Sequence, residues 1–185
     1  MRGITVASPW DAAKLGDEAL AYADALYNLA RYLTGNVTDA EDLVQETYTR
    51  ALRAASHFTP GTNLKAWLFR ILRNAFISIY RRQRNSPIEG GLDTVTPVHQ
   101  DAASIDWLHG DRELDRLRSV VGEELERALM KLSEDARAVI LLDLDGLSER
   151  EIADVMSCAI GTVKSRRFRA RAELRRLLPD YETAR

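Results

Sequence analysis

The chain has 185 residues, enough for one large or two small domains, and near-balanced charge, with 26 Lys and Arg against 28 Asp and Glu. One cysteine, Cys158, excludes an internal disulfide or a thiolate metal cluster. His57, His99 and His109 lack ligand spacing and there is no glycine-rich phosphate loop, so neither metal nor cofactor is expected.

The N-terminal stretch MRGITVASPW has no apolar secretory core, and no run approaches transmembrane length. A cytoplasmic protein with no membrane contact of its own is expected. Leu15, Ala19, Tyr22, Leu26, Leu29 and Leu33 step by three and four, predicting one amphipathic first helix that ends at Gly35-Asn36. Thr38 and Glu41 have capping-box spacing for a second helix. Its inner face is Leu43, Val44, Thr47, Tyr48, Ala51, Leu52 and Ala55, and its outer face carries Asp42, Gln45, Glu46 and Arg50. Pro60 and Gly61 make residues 57–62 a turn.

A third helix is expected over residues 63–84. It holds six basic residues and no acids, interleaved with Trp67, Phe69, Phe76 and Tyr80. Basic side chains alternating with aromatics suit a protein that grips phosphates while stacking on unpaired bases. The plainer reading is that the aromatics are core, and Trp67 is read as core. From Asn85 to about Gly110 periodicity fails, and Pro87, Gly90, Gly91 and Pro97 with scattered acids read as a flexible linker. Ile105, Trp107 and Leu108 are its apolar exceptions. Residues 88–126 carry ten acids and three arginines. A fourth helical region begins near Asp111, and Ser133 is placed as the N-cap of a helix over 136–144.

Residues 147–178 then read as a helix, a tight turn and a second helix. Ser148 and Glu151 form a capping box, and Ile152, Val155 and Met156 make an apolar stripe. Ser157, Cys158 and Ala159 form the turn. Val163, Ala170 and Leu174 face inward on the second helix. Residues 161–178 hold seven basic residues against one acid, Glu173. A solvated helix usually mixes signs for i,i+4 support, and this one does not. The layout is that of a helix-turn-helix whose second helix enters a DNA groove.

Taken in order, these pieces resemble the extracytoplasmic-function group of bacterial RNA polymerase sigma factors. The resemblance is carried by Asp39-Ala-Glu-Asp-Leu-Val-Gln-Glu-Thr47 and Leu64-Lys-Ala-Trp-Leu-Phe-Arg-Ile71. At the other end it is carried by Leu132-Ser133, Leu144-Asp-Gly-Leu-Ser148, Glu151-Ile-Ala153 and Gly161-Thr-Val-Lys-Ser-Arg166. It implies an all-α chain of two small helical domains joined by a flexible acidic linker. Residues 1–14 would be a tail, 15–86 the domain for the polymerase clamp and −10 element, and 87–112 the linker. Residues 113–180 would be the helix-turn-helix domain for the −35 element, and 181–185 a second tail.

The resemblance further implies a non-catalytic promoter-specificity subunit that binds core polymerase through the β′ clamp and β flap and helps melt the promoter. An anti-sigma partner is a family expectation. Asp42, Gln45 and Glu46 match the polymerase contact. Phe58 to Asn63 matches a loop that captures a flipped −10 base, with Asn63 or Asn74 pairing with a base edge. Lys65, Arg70, Arg73, Tyr80, Arg81 and Arg82 complete that DNA face, with Arg84 beside them on the backbone. On the last helix, Lys164, Ser165, Phe168 and Arg169 match groove-facing positions. Either Arg169 or Lys164 reads guanine, and Phe168 meets a thymine methyl. Arg166 and Arg171 hold phosphates. Arg167 departs from the family, which has an aliphatic residue there; its stem packs while its head reaches DNA or solvent. The competing reading is a stand-alone helix-turn-helix regulator on duplex DNA, which leaves residues 63–84 without a task. An enzyme is disfavoured, since no paired carboxylates, His cluster or nucleophile–base pair has useful spacing.

Overall fold

The computed structural model describes the backbone of residues 12–85 and 112–178 and the side chains of residues 14–79 and 122–178. Among the described residues every regular element is helical. The expected linker, including Ile105, Trp107 and Leu108, and both tails lie essentially outside them, so the order of elements has one break.

The single first helix is in fact two, α1 (Ala12–Leu20) and α2 (Ala23–Thr34). The chain tightens between them, where the Tyr22 N–H donates to the Ala19 carbonyl at 3.0 Å. The same carbonyl also accepts the Tyr48 hydroxyl at 3.1 Å. Leu15 and Ala19 are buried, as are Leu26, Leu29 and Ala30, but the two helices pack on different neighbours: α1 on α3 and α4, α2 also on α6. One periodic stripe therefore serves two helix directions, which no breaker residue announces.

Gly35 closes α2 in the left-handed region (φ 80°), where a side chain is strained. Asn36 then caps α3 (Val37–Arg53), its Oδ1 accepting the Asp39 N–H at 2.8 Å. The expected Thr38–Glu41 capping box is thus displaced two residues upstream, because the glycine turn delivers the chain to Asn36 first. After a 3₁₀ turn (Ala55–His57), Thr62 folds back on the Thr59 carbonyl with Gly61 at φ 87°. Proline and glycine at the two central positions are what a type II turn requires. Helix α4 (Leu64–Asn85) follows.

The second half is built from α5 (Arg112–Lys131), α6 (Glu134–Leu144), α7 (Glu149–Met156) and α8 (Ile160–Leu177). Ser133 stands at the N-cap of α6 as expected, but its hydroxyl makes no capping bond and the helix starts earlier than residue 136. Ala138, Val139, Ile140 and Leu142 of α6 are all buried, so the middle of the helix packs on several sides. The cause is its position, touching α2, α7 and α8 at once.

The two halves are not separate bodies. One continuous cluster of buried side chains runs from Leu15 through Phe69 and Leu72 to Ile152 and Val163. Contacts between α4 and α7 and between α2 and α6 join them. Arg137 pins this junction. Its guanidinium donates to the carbonyls of Leu129 (3.0 Å), Met130 (3.2 Å) and Leu132 (3.1 Å) near the end of α5. It donates also to Tyr32 of α2 at 2.6 Å. Helix ends leave carbonyls without helical partners, and one half-buried guanidinium serves those of Met130, Leu132 and Tyr32 while sharing that of Leu129 with the Leu132 N–H. Burial lowers the Arg137 pKa, while Glu134 and Tyr32 oppose that shift.

Candidate nucleic-acid interface

The helix-turn-helix forms as the capping residues dictate. Ser148 Oγ accepts the Glu151 N–H at 3.3 Å, and Glu151 Oε2 accepts the Ser148 N–H at 2.8 Å. The Ser148 hydroxyl and N–H, with the Asn63 amide, hold the Glu151 carboxyl below its ordinary value. Ser157 then takes the left-handed region (φ 51°), and the Cys158 N–H returns to the Ala153 carbonyl at 3.0 Å. Cys158 is half-buried in this turn, less covered than a core cysteine. Val163 of α8 is buried in the main core, Ala170 is buried with Leu129, Leu132 and Ile140, and Leu174 is half-buried.

This anchoring fixes which side of α8 faces out. Phe168 is 75% exposed, and Lys164, Ser165 and Arg169 are exposed beside it. A single exposed ring is ordinary at a protein surface, but among the exposed polar and basic neighbours of α8 it offers an apolar contact to a base edge. Arg169 Nε bonds only its own helix, donating to the Ser165 carbonyl at 3.3 Å, and Ser165 donates to the Thr162 carbonyl at 3.0 Å.

The flanking cations are held by acids. Arg167 Nη1 donates to Asp143 at 3.0 Å and Nη2 to Glu149, and this carboxylate company raises its pKa, Asp143 foremost. Arg171 donates to the other Asp143 oxygen at 2.6 Å. Arg166 pairs with Asp135 at 2.6 Å, and Lys164 lies 3.5 Å from Glu149. The Arg167 head was expected to reach DNA or solvent. It turns instead onto α6 and α7, because Asp143, only 15% exposed, needs a cation. Asp135, Asp143 and Glu149 are the residues that the pattern of cations does not reveal. Their signal was present: acids on the helices that must pack under a basic one.

Helix α4 divides its residues among three sides. Leu64, Leu68, Leu72 and Ala75 are buried in the core. Arg70 and Asn74, one turn apart, are exposed. Lys65 and Arg73, two turns apart on another side, face the second half of the chain. Lys65 Nζ donates to Asp145, to its carboxylate at 2.9 Å and to its carbonyl at 2.7 Å. Arg73 Nη2 reaches Asp135 at 3.5 Å.

Asn63 is the N-cap of α4, its Oδ1 accepting the Ala66 N–H at 3.2 Å, and its Nδ2 donates to Glu151 at 2.6 Å. Both ends of its amide are therefore engaged, whereas Asn74 projects outward. Phe58, expected at the flipped base, is buried and stacks obliquely on half-buried Trp67, ring centroids 5.1 Å apart. Its ring belongs to the core cluster, while residues 59–62 that follow it are exposed. The side chains of Tyr80, Arg81, Arg82 and Arg84 lie outside the described residues. On α3, Asp42 and Gln45 are exposed, and Glu46 is paired with Arg50 at 2.7 Å.

Comparison with known proteins gives this geometry a lineage. The Sigma-70 region 2 model matches residues 19–86 and the Sigma-70, region 4 model residues 122–174. The ECF RNA polymerase sigma factor EcfG of Rhodopseudomonas palustris is 39% identical over 89% of this chain and 84% of that protein. The sigma factor RpoE of Bartonella quintana, solved in complex with the anti-sigma factor NepR, superposes with a TM-score of 0.65 at 35% identity. That match covers 91% of this chain and 97% of RpoE. CnrH, solved with the cytosolic domain of CnrY, superposes at a TM-score of 0.61 and 28% identity, covering 91% of this chain and 89% of CnrH. Two family regions in order, and a relative this similar along nearly the whole chain, make the protein an RNA polymerase sigma factor of the ECF family.

Proposed function

We propose that the chain is a non-catalytic cytoplasmic subunit that joins core polymerase and directs it to promoters. In this reading residues 15–86 grip the β′ clamp through Asp42, Gln45 and Glu46 and open the −10 element. Residues 113–180 lie at the β flap and read the −35 element. The observation that carries the reading is the outward stripe of Ser165, Phe168 and Arg169 on a helix where the neighbouring Lys164, Arg166, Arg167 and Arg171 are paired with acids. Those three are available to base edges, with Lys164 at their margin, whereas Arg166, Arg167 and Arg171 support the helix or reach phosphates at its rim. On α4, Arg70 and exposed Asn74 form the corresponding outward pair, with Asn74 favoured over Asn63 as the amide that meets a base.

An anti-sigma protein is a further partner in this reading, supported by the complexes in which RpoE and CnrH were solved. Among the described residues no helix is long and apolar enough to cross a membrane. The test is reconstitution: the protein added to core polymerase on genomic DNA is expected to yield transcripts with a shared upstream pattern. Transcripts no more specific than those of core alone would reject the reading.

A further inference from the structure

Helix α8 is held down by little apolar surface. Its fully buried side chains are Val163 and Ala170, both small, and Leu174 is half-buried. Burial of apolar surface is non-directional, so these contacts anchor α8 but fix its rotation only loosely. Rotation matters, because turning a helix by about 20° moves a side chain at a radius of about 6 Å by roughly 2 Å. A recognition site must be held to within about 0.5 Å.

A row of alternating charge runs along one edge of the outward stripe. Lys164, Arg167 and Arg171 stand at i, i+3 and i+7 on α8. Glu149 of α7 lies 3.5 Å from Lys164 through Oε2 and accepts Arg167 on Oε1. Asp143 of α6 accepts Arg167 on Oδ1 at 3.0 Å and Arg171 on Oδ2 at 2.6 Å. A carboxylate bound by one side chain fixes a distance. Bound on both oxygens by residues one turn apart, it fixes the rotation of their helix and its position along the axis. Asp143 is also the sheltered member of the row, 15% exposed against 56% for Arg171.

We infer that Asp143 is a positioning residue for promoter choice: it holds α8 at the angle that aims Ser165, Phe168 and Arg169, and it keeps Arg171 off the phosphates. The inference rests on the reading of α8 as the −35 helix given above. Phosphate contacts add affinity without choosing sequence. An acid that ties up a cation at the rim therefore lowers affinity for all sequences alike, while its hold on the helix sharpens the choice among them. On sequence Arg171 is expected at a phosphate; in the folded protein it is the second arm of the Asp143 clamp.

The test titrates reconstituted holoenzyme on its promoter and on the same DNA with the −35 element scrambled, at several salt concentrations. The ratio of the two affinities is the discrimination. Asp143→Asn, which keeps the shape and removes the charge, is expected to lower it about tenfold. Glu123→Gln, the same charge change at an exposed position of α5, is expected to leave it as in wild type. A merely structural loss lowers the active fraction on both DNAs and leaves their ratio unchanged. A discrimination for Asp143→Asn within about twofold of the Glu123→Gln control overturns the inference. Arg171→Gln is expected to lower discrimination about threefold with the salt slope of wild type, whereas equal weakening on both DNAs and a slope shallower by about one would make Arg171 a phosphate contact and overturn the inference as well. Should Asp143→Asn fail to fold, Arg171→Gln, changed at an exposed side chain, still decides. Failure of the −35 reading looks different: wild-type holoenzyme itself would not distinguish the two DNAs, and the inference would fall with that reading.

Discussion

Helices α4 and α8 are both strongly basic, yet they dispose of their charge differently. In α8 the arginines beside the outward stripe turn back onto acids of their own half, Asp135, Asp143 and Glu149. In α4 the cations beside the outward pair are taken by acids of the other half, Asp135 and Asp145. The first arrangement fixes a reading surface in place. The second couples a reading surface to the relative position of the two halves. A count of positive residues makes the helices look alike, and only the location of the acids separates them.

The comparison breaks most completely at Arg137. Its replacement by alanine removes the donor that the Leu132 and Tyr32 carbonyls share and loosens the platform under both helices. Arg137→Ala is expected to cost about 3 kcal/mol, read as a lowered urea midpoint. A loss within error of wild type would remove Arg137 from the junction.

The next effect separates two neighbours on α8. Arg169→Ala is expected to weaken −35 recognition by about 1–3 kcal/mol and relax sequence choice. Arg167→Met is expected to lower folding stability by about 1 kcal/mol through loss of its acidic partners. It should leave the salt dependence of DNA binding as in wild type, whereas loss of a phosphate contact would reduce the salt slope by about one. Binding isotherms at several salt concentrations read both.

Glu151 links the capping box of α7 to Asn63 of α4. Its pKa lies below the ordinary value of 4.5, so its stabilisation is full above that value and is lost as pH falls through the depressed one. Melts from about pH 6 to about pH 3 should show this loss in wild type and its absence in Glu151→Ala, which itself costs about 1 kcal/mol. Identical pH profiles would sever the link. The smallest effect is a gain. Ser157 occupies the left-handed region without being glycine, and Ser157→Gly is expected to stabilise by about 1 kcal/mol, seen as a raised melting temperature with DNA affinity retained.

Much of this was legible along the chain because it depends on neighbours within a few residues. The Ser148–Glu151 box, the Pro60-Gly61 turn and the inward Val163 and Ala170 follow from local spacing, and the outward Phe168 follows from the family resemblance. The break at Tyr22 was not legible, since Leu15 and Leu26 share one stripe and diverge only in what they pack against. Nor was the burial of Phe58, which needs Trp67 from the next helix. Asn63 was seen as an amide able to meet a base, but its position before Leu64 also makes it a cap.

By itself, then, the sequence determined the all-helical class, the helix-turn-helix, the segregation of charge and, through its motifs, the family. These rest on periodicity and short-range hydrogen bonding, which act within a few turns. The tertiary structure decided which cations are available. Lys65 meets Asp145 across 80 residues, Arg73 meets Asp135 across 62, and Arg167 meets Asp143 across 24. Charge attraction has no sequence register, so its partners are settled only when apolar packing has brought the helices together.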